Sequence, residues 1–246
     1  MSRSDEHRSF AGLARALWAE LDRPTALLLL LAACLPVVYV YQGVPSFYLA
    51  HLAAPGDAAT PVYAQYWRFG AVFVLFFVVP AVAWRLVARR PLTELGLRAG
   101  DVGVGLKFVA VALAVAVPAL WINAADPQMQ AEYPLAREAF GDTATLVTYE
   151  LLYVLYYWGW EFLFRGALQL GLLRKMGLAG SCMVQLLPSV LLHIGKPLGE
   201  TWGAVLAAPV LGAVAVRTRS FLYVFLFHYT IGVVNDLFCA VKLGLL

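Results

Sequence analysis

Charged residues are scarce in this sequence. Of its 246 residues, 13% are Asp, Glu, Lys or Arg and 62% are hydrophobic, whereas a soluble domain carries roughly 25% charged residues. This composition excludes an ordinary soluble domain and indicates a multi-pass membrane protein. The net charge of +3 is small, and we expect no nucleic-acid partner.

Regular alternation of polar and apolar residues is also missing. The apolar segments are longer than a barrel strand needs, and only helices and closed barrels satisfy the backbone inside a bilayer. We therefore predict an all-α polytopic transmembrane helical bundle. No internal repeat is visible, so an inverted-repeat transporter is not indicated. The three cysteines, Cys34, Cys182 and Cys239, are too far apart to favour a disulfide framework or a metal cluster.

About seven apolar segments are long enough to cross a bilayer as helices. They form a single bundle over residues 24–246. Residues 1–23 form either a cytoplasmic tail or an amphipathic helix, because apolar residues recur there at helical spacing. We expect no cleavable signal peptide, since the first apolar segment starts late and has full spanning length. The predicted spans are 24–42, 67–88, 103–122, 145–173, 178–194, 202–216 and 220–242.

Most of the 18 Lys and Arg residues fall on one side of this arrangement. They lie in the N-terminal tail, in the loop 85–107, and directly after the fourth and sixth spans. Cytoplasmic loops of membrane proteins carry such an excess of basic residues, so we predict a cytoplasmic N-terminus. The usage of Ala, Leu, Val and Arg is typical of a GC-rich bacterial genome, and the expected location is the bacterial inner (cell) membrane.

Apart from residues at the ends of the spans and in the loops, few ionisable residues lie inside the predicted spans, and none of these lies in the first three. Ionisable residues within a membrane usually face the bundle interior and mark functional sites, so we expect them to converge on one cavity. They are Glu161, Arg165, His193, His228 and Asp236.

Glu161 and Arg165 are four residues apart, which places them on one helix face, close enough to pair. An ion pair with a purely structural role is the alternative, because buried pairs are often no more than that. His228 and Asn235 share a face, since seven residues make nearly two helical turns, and Asp236 lies on its flank. A single histidine is more often one end of an interhelical hydrogen bond. Two histidines beside a Glu–Arg pair favour a site.

These residue types suit the activation of water. A buried carboxylate can take a proton from water, and neutral imidazoles can orient the water or hydrogen-bond a tetrahedral oxyanion. Ser189 lies one turn before His193 and is a weak candidate nucleophile. Two histidines and one Glu could also bind zinc with one position open for water. The cofactor therefore stays open between none and a divalent metal such as zinc.

Three short motifs resemble a known family. Trp160-Glu161-Phe-Leu-Phe-Arg165-Gly166, then His193-Ile-Gly-Lys-Pro, then His228 resemble the CPBP intramembrane proteases, the CAAX prenyl-protease and bacteriocin-processing group. That family has the motifs EExxxR, FxxxH and HxxxN. The resemblance covers residues 145–240 and is closest to a subgroup with WEFLFRG and HxGKP signatures.

The resemblance can be carried over residue by residue, with three departures. Glu161 matches the second Glu of the first motif and Arg165 its Arg, while the two histidines match those of the second and third motifs. Trp160 stands where the family has the first Glu, which activates the water. The other departures are at Ser189, in place of Phe, and at Gly232, in place of Asn.

The resemblance implies an intramembrane endopeptidase of the glutamic or metal-dependent type. Glu161 would be the base, Arg165 would hold it, the histidines would position the water and the oxyanion, and Asn235 would donate a further hydrogen bond. Glu200, from the outer loop, and Asp236 are possible auxiliary residues. The substrate would be a membrane-associated protein or a lipid-anchored peptide, cleaved in C-terminal processing or sorting. The alternatives are a non-catalytic binding or immunity protein on the same fold, and a small transporter.

Overall fold

The structure is a computed structural model that describes residues 9–54, 56 and 60–246. The described residues form helices and no strands, which confirms the all-α prediction. A π-helical segment, Phe162–Leu170, joins α7 to α8. The helices are α1 (Phe10–Glu20), α2 (Arg23–Gly43), α3 (Pro45–His51), α4 (Thr60–Ala88), α5 (Val102–Asn123), α6 (Pro127–Glu132), α7 (Thr143–Glu161), α8 (Gly171–Leu191), α9 (Leu198–Thr218) and α10 (Leu222–Leu243).

The chain is a multi-pass membrane protein. Within the described ranges, five helices are long and apolar enough to cross a membrane, namely α2, α4, α5, α9 and α10. The two other predicted spans, 145–173 and 178–194, fall on α7 with its π-helical continuation and on α8. Every predicted span thus coincides with a helix, and the number that cross the bilayer stays a prediction.

Two predicted helix boundaries are wrong by several residues. The second span was placed at 67–88, but α4 begins at Thr60, and Pro61 sits in its first turn, where a helix tolerates proline. Arg68, the second residue of the predicted span, therefore lies well inside α4 and not at its end, which corrects the expectation that the interior of the first three spans carries no ionisable residue. The sixth span was placed at 202–216, but α9 begins at Leu198, so Glu200 lies in a helix and not in a loop.

The N-terminal segment contains a helix, in agreement with one of the two alternatives for residues 1–23. α1 places Phe10 and Leu13 on its exposed surface, and residues 1–8 lie outside the described part of the chain. The division into a segment 1–23 and a bundle 24–246 stays a prediction. The three cysteines are free, as expected.

The π-helical segment runs through the centre of the bundle. Each of its residues from Phe162 to Gln169 is buried, because α2, α4, α8, α9 and the chain around Phe221 pack against it. The backbones of α7 and α4 approach each other closely beside this segment. A Cβ atom on Gly159 would clash with the carbonyl oxygen of Val72 on α4, so glycine lets the two helices touch.

Gly177 breaks the long helical stretch that carries the first two motifs. Its φ of 69° and ψ of −179° suit glycine and are strained for other residues. The break falls between the predicted spans 145–173 and 178–194. α8 can therefore turn back beside the π-helical segment and bring His193, just past its end, toward Glu161.

Candidate active site

Glu161 and Arg165 form a buried ion pair at the junction of α7 and the π-helical segment. Nη1 of Arg165 lies 3.2 Å from Oε1 of Glu161, and the two side chains are 3% and 0% exposed. The pairing predicted from their spacing is therefore observed. Arg165 offsets the cost of burying the carboxylate charge, which would be several kcal/mol if it were unpaired.

His228, on α10, hydrogen-bonds the same carboxylate oxygen. Its Nδ1 lies 2.5 Å from Oε1 of Glu161. An ionised carboxylate can only accept, so Nδ1 carries the hydrogen, and Nε2 of a neutral ring is left as an acceptor. The other oxygen of Glu161, Oε2, is buried and has no hydrogen-bond partner among the described residues.

His193 lies in the turn after α8 and is oriented by the backbone. Its Nδ1 is 2.7 Å from the carbonyl oxygen of Ser189, which again places the hydrogen on Nδ1 and leaves Nε2 as an acceptor. The edge of its ring meets the Trp160 ring, with centroids 5.5 Å apart. Ser189 thus contributes its carbonyl group to the site, and its hydroxyl bonds neither histidine within the described residues.

A cavity of about 690 Å³ lies between α5, α7, α9 and α10. Its walls are mostly apolar, with a few polar side chains that converge, as is typical of a binding or catalytic site. Neither Glu161 nor Asp236 lies on a wall. The site residues from the sequence analysis that do line it are Arg165, His193, Glu200, His228 and Asn235.

Asn235 and Asp236 are adjacent in sequence but differ in surroundings. Asn235 lines the cavity, is 6% exposed, and its Oδ1 has no partner in the described part of the chain. Asp236 points toward α7, where its Oδ2 accepts a 3.0 Å hydrogen bond from the Tyr149 hydroxyl. The structure therefore places Asn235 on the cavity wall and Asp236 away from it, against α7, and the roles expected for both residues stay predictions.

Glu200 reaches the cavity from the first turn of α9. Its Oε2 accepts a 2.8 Å hydrogen bond from the Tyr133 hydroxyl. Burial raises the pKa of Tyr133 well above its ordinary value of 10, so this phenol is a neutral donor. Lys196 donates to the same phenol oxygen at 3.3 Å and pairs with Glu132 at 2.6 Å. Glu200 thus lies on the cavity wall, and Tyr133 fixes its carboxylate there.

Several polar residues near the site were not among those predicted from the sequence. A smaller cavity of about 40 Å³ is lined by Arg68, Lys196 and several tyrosines, together with both site histidines and Glu200. Arg68 was set aside as a residue at a helix end, because the predicted span begins at residue 67; the Thr60-Pro61 pair signals the true start of α4. Glu150 lies inside the predicted span 145–173 and is missing from the ionisable residues named for the spans. Both its carboxylate oxygens are buried without a partner among the described residues.

No three His, Cys, Asp or Glu side chains in the described ranges lie close enough together to hold a metal ion. Glu161 and His228 are in contact, but His193 directs Nδ1 to a backbone carbonyl and joins no such group. The described residues therefore do not fit the zinc site that the sequence left open.

Comparison with known proteins gives one match. Residues 142–234 match the family model described as type II CAAX prenyl endopeptidase Rce1-like. The matched range starts at the N-cap of α7 and includes Glu161, Arg165, His193 and His228, and it ends just before Asn235. No curated protein and no solved structure matches the chain. The match confirms the family resemblance, and the assignment to the WEFLFRG subgroup stays a prediction.

Proposed function

From the match of residues 142–234 to the Rce1-like model of type II CAAX prenyl endopeptidases, we propose that the protein is an intramembrane endopeptidase. It hydrolyses a peptide bond of a membrane-associated protein or lipid-anchored peptide, using water activated at the Glu161–Arg165–His193–His228 site. C-terminal processing or sorting is the proposed role. A bacterial inner membrane with the N-terminus in the cytoplasm is the proposed setting, supported by the distribution of basic residues.

One observation carries this proposal. Two histidines, one in the turn after α8 and one on α10, line the same apolar cavity, and hydrogen bonds at Nδ1 leave Nε2 of each as an acceptor. Acceptors fixed in this way can orient a water molecule and share its proton. A largely apolar cavity excludes bulk water, which strengthens such interactions.

Asn235 and Arg165 are the proposed donors to the oxyanion. A peptide carbonyl under attack by water develops negative charge on its oxygen, and donors aimed at that oxygen stabilise the transition state. Both side chains line the cavity, and Nε of Arg165 has no partner among the described residues. Loss of one such donor costs on the order of 10²- to 10³-fold in kcat.

A non-catalytic binding protein is the second candidate, and Trp160 favours it. This indole occupies the motif position where the family has its water-activating Glu, and it lines both cavities. If the chain only binds a membrane peptide, that peptide stays intact in its presence.

The test compares products in native membranes. Wild type and the double variant His193→Gln/His228→Gln are expressed in cells whose own copy of the gene is deleted, and new protein termini are identified by mass spectrometry. His51→Gln is the matched control, because His51 is exposed on α3, away from the site. Shortened proteins that appear with wild type and the control, but not with the double variant, support hydrolysis. Intact proteins in all three strains overturn the proposal and favour the binding protein.

A further inference from the structure

Hydrolysis at this site requires a base that can reach water in the cavity. We infer that this base is Nε2 of His228 and that Glu161 acts through His228 as its positioning residue. This inference rests on the proposed endopeptidase function. It reassigns the role of Glu161, which the sequence motif suggested as the base itself.

Glu161 is poorly placed to touch water. It is completely buried and absent from the cavity walls, and Oε1 already accepts from both Arg165 and His228. His228, by contrast, lines both cavities, and its side chain is 21% exposed. The ring therefore stands between the carboxylate and the place where water and substrate can enter.

The carboxylate–imidazole contact is the arrangement that turns histidine into a general base. A carboxylate that accepts from Nδ1 fixes the tautomer and stabilises the imidazolium that forms when Nε2 takes a proton. The 2.5 Å contact between Glu161 and His228 provides both effects. Arg165 keeps the carboxylate ionised and fixes it from the other side.

His193 lacks this support and has a different role. Its Nδ1 donates to a neutral backbone carbonyl, that of Ser189, which fixes the ring but supplies no negative charge to stabilise an imidazolium. We therefore assign His193 to holding the water through Nε2, and His228 to removing its proton.

The reaction then balances with water as the only co-reactant. Nε2 of His228 takes a proton from water as the water oxygen bonds to the carbonyl carbon of the substrate, and the carbonyl electron pair moves to its oxygen. When this intermediate collapses, the C=O bond reforms and the C–N bond breaks. The imidazolium returns its proton to the leaving nitrogen. The products are a carboxylic acid, which ionises, and an amine.

Glu200 is the competing base, and the experiment separates the two. Glu200 lines the cavity, and its Oε1 has no hydrogen-bond partner among the described residues, but only neutral Tyr133 bonds it directly. The substrate is a synthetic peptide that spans the cleavage site found in the membrane experiment, and the enzyme is the full chain in detergent. Turnover, KM and the pH–rate profile are measured for wild type, Glu161→Gln, His228→Gln and Glu200→Gln.

We expect His228→Gln and Glu161→Gln each to lower kcat by on the order of 10²- to 10⁴-fold with little change in KM, since general bases contribute about this much. The double variant Glu161→Gln/His228→Gln, measured in the same way, should be no slower than the slower single variant, because the effects of residues that act as one unit are not additive. The acidic limb of the pH–rate profile reports the ionisation of the base. Its position should change in Glu161→Gln and should be the same as in wild type in Glu200→Gln. The latter should keep its kcat within about tenfold of wild type, too small a loss for a general base.

Two results overturn the inference. One is a Glu200→Gln variant that loses turnover together with the acidic limb while Glu161→Gln retains both, which makes Glu200 the base. The other is additive losses in the double variant, since that result separates Glu161 from His228. A wild-type chain that yields no product in membranes refutes the endopeptidase function instead, so the two failures are distinguishable. Glu138→Gln, on an exposed loop, is the matched control for the loss of a carboxylate.

Discussion

Nδ1 of His228 and Oε1 of Glu161 lie 2.5 Å apart, although 67 residues separate them in the sequence. The contact joins α10 to the end of α7 and is made at the oxygen that Arg165 also bonds. Charge, helix packing and imidazole orientation are thus coupled at a single atom, so a change in any one of the three side chains affects the other two.

The buried ion pair should contribute far more to stability than a surface pair of the same spacing. We expect Arg165→Met to lower the free energy of unfolding by about 3 kcal/mol, because it leaves the Glu161 charge buried with only His228 beside it. Arg90→Met is the control, since Arg90 and Glu94 pair at 3.4 Å with the same spacing and are 40% and 46% exposed. That change should cost under about 0.5 kcal/mol. Thermal unfolding in detergent measures both, and equal losses would contradict the prediction.

Gly232 should be needed for activity because of its neighbour. A Cβ atom there would overlap the hydroxyl of Tyr157, whose ring centroid lies 4.7 Å from that of His228. We expect Gly232→Ala to displace Tyr157 and lower kcat about tenfold or more, since small misplacements in an active site can cost 10²-fold. Gly203→Ala is the control, because Gly203 lines the same cavity with open space at its Cβ. The measurement is kcat for peptide cleavage by the two variants. Similar values would show that Gly232 is not needed to hold Tyr157 in place.

The loop before α5 should contribute less to the stability of the protein in acid. The hydrogen bond from the Val104 amide, and then Arg217 at 2.8 Å, lower the pKa of Asp101 below its ordinary value of 3.8. A carboxyl with a lowered pKa in the folded state stabilises the protein above its ordinary pKa, and this stabilisation disappears as the pH falls through the lower value.

We therefore expect the unfolding temperature to fall between about pH 5 and about pH 2, and to fall less in Asp101→Asn. Arg217→Met should keep most of the pH dependence, since the Val104 bond is the larger cause. Unfolding curves across this pH range test the point. An identical acid response in wild type and Asp101→Asn would show that Asp101 does not contribute to it.

Local features of the site could be predicted from the sequence. Glu161 and Arg165 pair because four residues make about one helical turn, and their isolation in an apolar run marks them as functional. The break at Gly177 falls between two predicted spans. Such features depend on neighbours in sequence, where periodicity and turn chemistry act directly.

Contacts between distant helices could not be predicted in the same way. The partner of His228 depends on how α10 rotates against α7, and apolar side chains on every face of a membrane helix leave that rotation unspecified. Asn235 and Asp236 illustrate this, since only one of the two adjacent residues faces the cavity. Glu200 and Arg68 were misplaced for a simpler reason, because helix ends are hard to locate when polar residues continue past them.

The π-helical segment has a consequence for how related sequences can diverge. A π-helix holds more residues per turn than an α-helix and commonly marks an inserted residue. Loss of one residue from Phe162–Leu170 would restore α-helical winding and turn the chain beyond it by about 100° relative to Glu161. Homologous sequences should therefore keep the length of this segment fixed while its side chains change. A single-residue deletion there should impair folding and activity more than most substitutions.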